Sequence, residues 1–200
     1  MKKFLKSLFV LLPLFQGCVC LAGPFGFEYG MSKQQVVGSV GKTAVEKDEG
    51  ETLTLSTAPK PHSAFEKYMC VISPTKGLVK VVALGIDIQT SGTGSELSSS
   101  FGEIAAALTA NYGEPEKKFD FLHAGSIWSE PQDWMMGLLK LDRTLEYFWS
   151  VDSASHAHVE HLVLEAKAIS SEKGYLVLSY EFEGFAQYAA EKRAQKDKVF

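Results

Sequence analysis

Apolar residues at helical spacing occur in two segments of the chain, and each segment ends at a glycine. In the first, Ser32 is placed to cap a short helix, Gln35 is its capping-box partner and Gly41 ends it. The second helix is longer, begins at a serine at position 98 or 100 and ends at Gly113. Its apolar face holds Phe101, Ile104, Ala105, Leu108 and Tyr112.

Apolar residues that alternate with polar ones follow each helix and predict β-strands. In each half of the chain, two such stretches flank a hairpin turn, at residues 73–77 and 170–174. This order predicts an α+β fold in which helices lie on one face of an antiparallel sheet. The predicted strands lie within residues 52–55, 68–72, 78–88, 145–149, 162–168 and 176–182.

The turns and helix ends of the two halves are similar enough to predict two tandem helix-plus-hairpin units. The helix-ending Gly41 and Gly113 are 72 residues apart, whereas the turn glycines Gly77 and Gly174 are 97 apart. The second unit would therefore hold 25 extra residues. The alternative, that both halves converged on the same helix and turn residues, stays open because two repeats are few.

The predicted units occupy residues 23–90 and 91–200, and the Gly/Ser-rich stretch 90–95 marks their join. The extra residues of the second unit fit an inserted helix near residues 129–141. Residues 184–200 are highly charged, with a few apolar side chains at helical spacing. They predict a C-terminal helix that lies on the surface.

The N-terminus has the three-part layout of a secretory signal peptide. Three lysines precede an apolar run at residues 8–15, and small residues follow up to Ala22. The run is shorter than the roughly 20 apolar residues that a transmembrane helix needs. We therefore expect residues 1–22 to be removed and the mature chain to be periplasmic, with no transmembrane helix.

A lipoprotein is the competing interpretation of the same segment. Gly17 and Cys18 end a stretch that resembles a lipobox, although Phe15 and Gln16 fit poorly at the two preceding positions. Cys18 would then carry a lipid that anchors the protein to the envelope.

Charge, apolar content and cysteine content indicate which partners the chain repels and how its fold is stabilised. The formal charge of the whole chain is -4, and removing the three lysines of the leader makes it -7, so the chain repels nucleic-acid phosphates. The apolar fraction of 46% is sufficient for a packed core. After cleavage Cys70 would be the remaining cysteine, and its apolar surroundings predict a buried thiol with a structural role.

Two segments resemble known families of exported proteins. Residues 25–32 with Gly41, and residues 101–108 with the Tyr-Gly-Glu-Pro of 112–115, resemble uncharacterised exported proteins of Gram-negative bacteria. The Gly-Met-Ser opening at 30–32 is similar to the start of the helix-then-hairpin units in outer-membrane assembly lipoproteins and in the β-lactamase-inhibitor-protein fold. The resemblance implies a helix packed on an antiparallel sheet and a binding or scaffolding role. It transfers no functional residue.

A histidine cluster is the candidate for metal chemistry. If the strand that follows it begins early, His156, His158 and Glu160 project from one face, because side chains alternate along a strand. Histidines so placed suit zinc, with Asp152 or His123 as a fourth ligand. The protein would then be a periplasmic metal-dependent hydrolase. The competing interpretation is a polar loop that leads into the strand.

Large side chains near the inserted helix are the favoured binding surface. Trp128 and Trp134 bracket a polar turn and Met135 follows, and such anchors dominate the energies of protein interfaces. The competing interpretation is that both indoles pack onto the sheet. No catalytic motif occurs in the setting that its chemistry requires. The sequence therefore favours an exported, non-catalytic envelope protein that binds another protein or a small ligand and needs no cofactor.

Overall fold

The structure is a computed structural model and describes residues 23–197, so the predicted leader and Cys18 lie outside the described residues. The α-helices are α1 (Lys33–Val40), α2 (Ser95–Tyr112), α3 (Trp134–Leu139) and α4 (Phe185–Asp197). The strands are β1 (Val45–Asp48), β2 (Thr52–Leu55), β3 (Phe65–Ser73), β4 (Gly77–Gly85), β5 (Ile88–Gln89), β6 (Lys117–Leu122), β7 (Arg143–Ser150), β8 (Val159–Ser170) and β9 (Lys173–Phe182).

All strands belong to one antiparallel sheet with the order β1-β2-β3-β4-β9-β8-β7-β6, and the short β5 also pairs with β9. Every predicted strand segment is present, and the predicted α+β class with an antiparallel sheet is confirmed.

Each half of the chain consists of a helix followed by four strands. In the first half these are α1 and β1 to β4, and in the second α2 and β6 to β9, with α3 between β6 and β7. The last strands of the halves, β4 and β9, pair with each other at the centre of the sheet. The halves therefore share one sheet and one core. Their origin by duplication stays a prediction.

The start and end of α1 are set by local interactions that the sequence predicts. The Ser32 hydroxyl accepts a hydrogen bond from the backbone N–H of Gln35, and the Gln35 side chain accepts one from the backbone N–H of Ser32. Gly41 ends the helix with φ +88°, a conformation that glycine adopts without steric cost. The predicted capping box and helix end are confirmed.

Helix α2 begins at Ser95, three residues before the earlier of its two predicted starts. Its N-cap is Gly94, which has no side chain to cap the helix, and the Glu96 carboxylate in the first turn instead ties the start of the helix to the preceding segment. This carboxylate accepts hydrogen bonds from the hydroxyls of Thr90 and Ser95 and from the backbone N–H of Ser91. These bonds lower the pKa of Glu96 to about 2.

The core lies between the sheet and the apolar faces of α1, α2 and α3. Helix α2 buries one stripe of side chains at helical spacing, and β8 buries alternate side chains beneath it, while the central β9 is buried on both faces from residue 176 to 180. The buried side chains of α2 are Leu97, Phe101, Ala105 and Leu108. Fully buried core side chains of the sheet include Leu53, Leu55, Tyr68, Trp149, Leu162, Leu164 and Phe182.

Helix α4 lies on the surface, as predicted, because none of its residues is buried. Polar contacts attach it to the first half of the chain. The Tyr188 hydroxyl and the Lys192 ammonium both donate to the Glu51 carboxylate at 2.7 Å, and Lys80 lies over the Phe185 ring. Among residues 23–197, no helix is long and apolar enough to cross a membrane.

Candidate binding surface

The connection between β6 and β7 spans residues 123–142 and is called the insert below. The equivalent connection in the first half, between β1 and β2, is the three-residue turn 49–51. Asp142 ties the two ends of the insert together. Its carbonyl accepts from the backbone N–H of His123 at 2.7 Å, and its carboxylate accepts from the Ser126 hydroxyl at 2.9 Å. The insert is therefore a folded element rather than a loose loop.

One side of the insert packs into the core through α3. Met135 is fully buried and Leu138 nearly so, and both belong to the hydrophobic cluster beneath α2. The backbone N–H of Met135 also donates to the carbonyl of Gly92, in the join between the halves. Of the three predicted binding side chains, Met135 is thus inaccessible to a partner in this structure.

The two tryptophans of the insert are half-buried. They are neither fully exposed, as a binding surface would have them, nor fully packed onto the sheet. The Trp134 ring lies so close to Gly94 that a Cβ there would overlap it, and the Arg143 guanidinium lies over the ring, 5.5 Å from its centroid. Trp128 approaches Gly137, and its backbone N–H donates to Ser126 Oγ. Both residues thus remain partly accessible to solvent.

Two aliphatic side chains of the insert are the most exposed large apolar groups among the described residues. Ile127 is 77% exposed and Leu141 is 74% exposed. Leu141 follows α3 with φ +62°, a left-handed conformation that favours glycine. Neither residue was predicted from the sequence, although an isoleucine in a polar loop and a leucine just after a helix are visible signals.

A small cavity of about 110 Å³ lies beside the insert. It is located where the pairing of β7 with β8 ends, at Glu146 and Glu165. Leu138 and Leu141 form one side, and Glu146 and Glu165 lie opposite each other on the paired strands. Burial and the negative charge of Glu165 raise the pKa of Glu146. The Lys167 ammonium donates to Glu165 at 2.6 Å, and its positive charge offsets part of this rise.

The predicted histidine cluster does not lie on a strand, because β8 begins at Val159. Ala157 and His158 have φ of +53° and +66°, so the two-residue alternation that would align His156 with His158 is absent. The imidazole of His156 is bonded to the carbonyl of Asp152, and that of His158 to the carboxylate of Glu183. The predicted early start of the strand is wrong.

The rings of this cluster are also engaged in separate contacts. His156 stacks against Tyr112 and His158 against Tyr29, and Glu160 follows at the start of β8. Within residues 23–197, no group of three histidine, cysteine or acidic side chains is arranged to hold a metal ion. The zinc site on His156, His158 and Glu160 stays a prediction that the geometry does not support.

A second concave site lies between the N-terminal segment and the end of α2, and is called the aromatic groove. It has a volume of about 250 Å³. Its walls are mainly apolar, with His62 and Asn111 at the edge. Burial raises the pKa of both tyrosines of the groove, so their hydroxyls stay protonated. The principal lining residues are Phe25, Phe65, Ile104, Leu108, Tyr112 and Tyr180.

Backbone strain occurs on both sides of the aromatic groove. Phe25 has φ +56° and is held by edge-to-face contacts with Phe65, Tyr68 and Tyr180. Ala157, which is also left-handed, lines an adjoining depression with Tyr112. Strained residues of this kind concentrate at ligand-binding sites. The sequence analysis did not identify this site, because its side chains come from four separate elements.

Cys70 takes no part in either site. The residue is completely buried in β3, and burial raises the pKa of its thiol to about 12. The thiolate is therefore absent near neutral pH, and the predicted structural role of this cysteine is confirmed.

Comparison with known proteins adds no relative: no protein-family model, no curated protein and no solved structure matches the chain.

Proposed function

We propose that this chain is an exported, non-catalytic protein of the cell envelope that binds another protein through the insert. The exposed part of the surface is formed by Ile127, Leu141 and the accessible parts of Trp128 and Trp134. Large apolar groups placed together on a positioned connection are typical of protein-binding surfaces.

The conformation of Leu141 carries the proposal. A leucine with positive φ costs about 1–2 kcal/mol relative to the ordinary helical region. Its side chain is 74% exposed and recovers little of this by burial. Glycine at this position would relieve the strain, so a leucine here is better explained by contact with a partner than by the stability of the fold.

Export and localisation belong to the same proposal and are supported by the N-terminal signal pattern. Its lysines, its short apolar run and the small residues up to Ala22 match a cleavable leader. Mass spectrometry of the purified protein tests this, with Gly23 as the expected first residue. A lipid-modified Cys18 at the N-terminus would instead establish the lipoprotein alternative.

Site-specific photo-crosslinking tests the binding surface in cells. A photoreactive phenylalanine derivative at position 127 should capture a specific protein, whereas the same group at Ile86, an exposed isoleucine of the first half, should not. Equal capture at both positions would contradict the proposal.

The substitution Leu141→Gly separates binding from folding. It removes both the exposed side chain and the strain, so the free energy of unfolding should rise by up to about 1 kcal/mol. Capture through position 127 should fall in the same variant. Unchanged capture by a stabilised Leu141→Gly protein would rule out a role of this side chain in binding.

The aromatic groove favours a second candidate function, the binding of a small aromatic ligand. Its mostly apolar walls with a few polar groups are typical of small-molecule sites. Indole is a suitable probe and should shift the NMR signals of Ile104 and Tyr112. The variant Ala107→Trp would fill the groove and abolish these shifts, whereas Ala106→Trp, on the neighbouring exposed position, should not.

A further inference from the structure

We propose that two copies of this chain pair antiparallel along strand β6 and join their sheets into one. Strand β6 is the last strand of the sheet and has a strand neighbour, β7, on one side only. An unpaired edge presents a row of backbone donors and acceptors that another strand can bind. This inference concerns a surface that differs from the insert surface of the proposed function.

The edge of β6 is regular along its length. Its register with β7 runs without a bulge from Lys117↔Phe148 to Leu122↔Arg143. At the other end of the sheet, β1 is shorter, contains a bulge between Val45 and Lys47 and has three consecutive charged residues. Bulges and charges are the usual protection of a sheet edge, and β6 lacks the bulge.

The hydrogen-bond pattern determines which residues of β6 face outward. The backbone N–H of His123 donates to the carbonyl of Asp142, in continuation of the β6–β7 ladder. Since bonding positions alternate along an antiparallel strand, residues 117, 119 and 121 bond to β7. The backbone groups of Lys118, Asp120 and Leu122 therefore point away from the sheet and are available to a second strand.

A two-fold axis through any residue from 118 to 122 joins outward-facing groups of β6, and the charges that meet differ between these registers. Axes through residues 121 and 122 place no two charges of β6 opposite each other. A two-fold axis through residue 118 places Lys118 opposite itself, and one through residue 120 places Asp120 opposite itself, so like charges meet in both. An axis through Phe119 places Lys118 opposite Asp120 of the second copy, twice by symmetry. Lys118 and Asp120 thus attract a second copy in the Phe119-centred register and repel it in the registers centred on residues 118 and 120.

The side chains of β6 support the same arrangement. Lys118 and Asp120 form ion pairs with Glu114 at 3.1 Å and with Arg143 at 3.6 Å, but they are 51% and 60% exposed, so both can also reach a second copy. Phe119 and Phe121 lie on the opposite face of the sheet, where Phe121 is 41% exposed. In the Phe119-centred register the two Phe119 residues form a non-hydrogen-bonded pair, in which side chains approach most closely.

Sedimentation velocity over a range of concentrations tests the dimer, using the protein recovered after expression of the full chain. Asp120→Lys replaces two attractive pairs by two repulsive ones and should weaken association about tenfold or more. The double variant Lys118→Asp with Asp120→Lys restores opposite charges and should recover most of the association. Circular dichroism checks that each variant remains folded.

Disulfide trapping tests the register independently. The expected Cα separation of the two Phe119 residues, about 4.5 Å, suits a disulfide, so Phe119→Cys should form a covalent dimer rapidly under mild oxidation. Ile86→Cys, an exposed position outside both the strand and the insert, is the matched control. The proposal would be overturned if the protein sedimented as a monomer at every concentration and both cysteine variants were trapped equally. It would also be overturned if Phe119→Cys formed a disulfide with a different protein.

Discussion

The two halves of the molecule share one layout but differ in the connection between their first two strands. In the first half, β1 and β2 are joined by the turn 49–51, and in the second, β6 and β7 are joined by the insert, residues 123–142. The short turn provides Glu51, which holds α4 in place. The long insert adds Met135 to the core and exposes Ile127. The connection between the first two strands thus attaches α4 in the first half and forms a candidate interface in the second.

The edges of the sheet differ in the same way. On β1, Lys33 and Lys67 form ion pairs with Asp48 and Glu46, so the charges of this edge are satisfied within the molecule. On β6, Lys118 and Asp120 also form ion pairs within the molecule, with Glu114 and Arg143, but this strand has no bulge and carries two phenylalanines. The insert and the β6 edge, on which the two proposed protein contacts rest, both belong to the second half, whereas the aromatic groove draws on both halves.

The largest change in stability should come from substituting Trp149, which connects strand β7 of the second half to the end of α2. The indole is fully buried, and its Nε1–H donates to the carbonyl of Gly113 at the end of α2. Trp149→Ala should lower the free energy of unfolding by about 3–5 kcal/mol in urea titrations. Trp149→Phe keeps much of the packing but removes the donor, and should cost about 1–3 kcal/mol. Equal losses would show that the hydrogen bond, which both variants remove, accounts for the effect, and that the remaining packing of the ring contributes little.

The insert should respond to substitution in opposite ways on its two sides. Met135→Ala removes a fully buried side chain and should cost about 2–5 kcal/mol. Ile127→Ala changes an exposed side chain and should stay within about 0.5 kcal/mol of the parent. Thermal or urea unfolding of both variants checks this. A large loss of unfolding free energy for Ile127→Ala would mean that this side chain stabilises the insert and is not placed there to bind a partner.

A smaller, pH-dependent effect should come from Glu146 in the second half. Burial and the Glu165 charge raise its pKa above the ordinary 4.5, so its contribution to stability is present below that pH and is lost as the pH rises through the raised value. Glu146→Gln should therefore stabilise the protein at pH 7 by about 0.2–1 kcal/mol. The difference should vanish in unfolding experiments at about pH 4. A constant difference across this range would exclude the carboxylate as its source.

The smallest effect on global stability should come from Glu51 in the first half. Hydrogen bonds from Lys192 and Tyr188 lower its pKa, so its contribution is present above its ordinary value of 4.5 and is lost as the pH falls through the lowered value. Glu51→Gln should leave the unfolding transition almost unchanged but increase hydrogen exchange in α4. Glu28→Gln, on another exposed glutamate, is the control. Unchanged exchange in α4 would show that other contacts hold this helix.

Sequence patterns identified the buried strands but not the edge strands. Residues 162–168 and 176–182 alternate visibly because one face of each strand packs on helices. Strands β1 and β6 were not predicted, since edge strands carry charged residues at positions that alternation would require to be apolar. Each begins four residues after a helix-ending glycine, Gly41 or Gly113, and this shared spacing was the available signal.

The candidate sites were less predictable than the fold. The segment of Trp128 and Trp134 was identified because large aromatics near an insert are visible in the sequence. The exposure of Leu141 was not, because it depends on the conformation in which α3 ends. The histidine prediction required a strand that two left-handed residues, Ala157 and His158, exclude.

The sequence by itself determined the features that depend on neighbours within a few residues: the cap at Ser32, the helix ends at Gly41 and Gly113, and the strands with one buried face. Tertiary structure decided which strands lie at the edges, which side of the insert is buried, and which side chains gather at the aromatic groove. These outcomes depend on contacts between residues far apart in the chain. Local spacing carries no information about such contacts, because they are selected by the packing of the whole sheet against its helices.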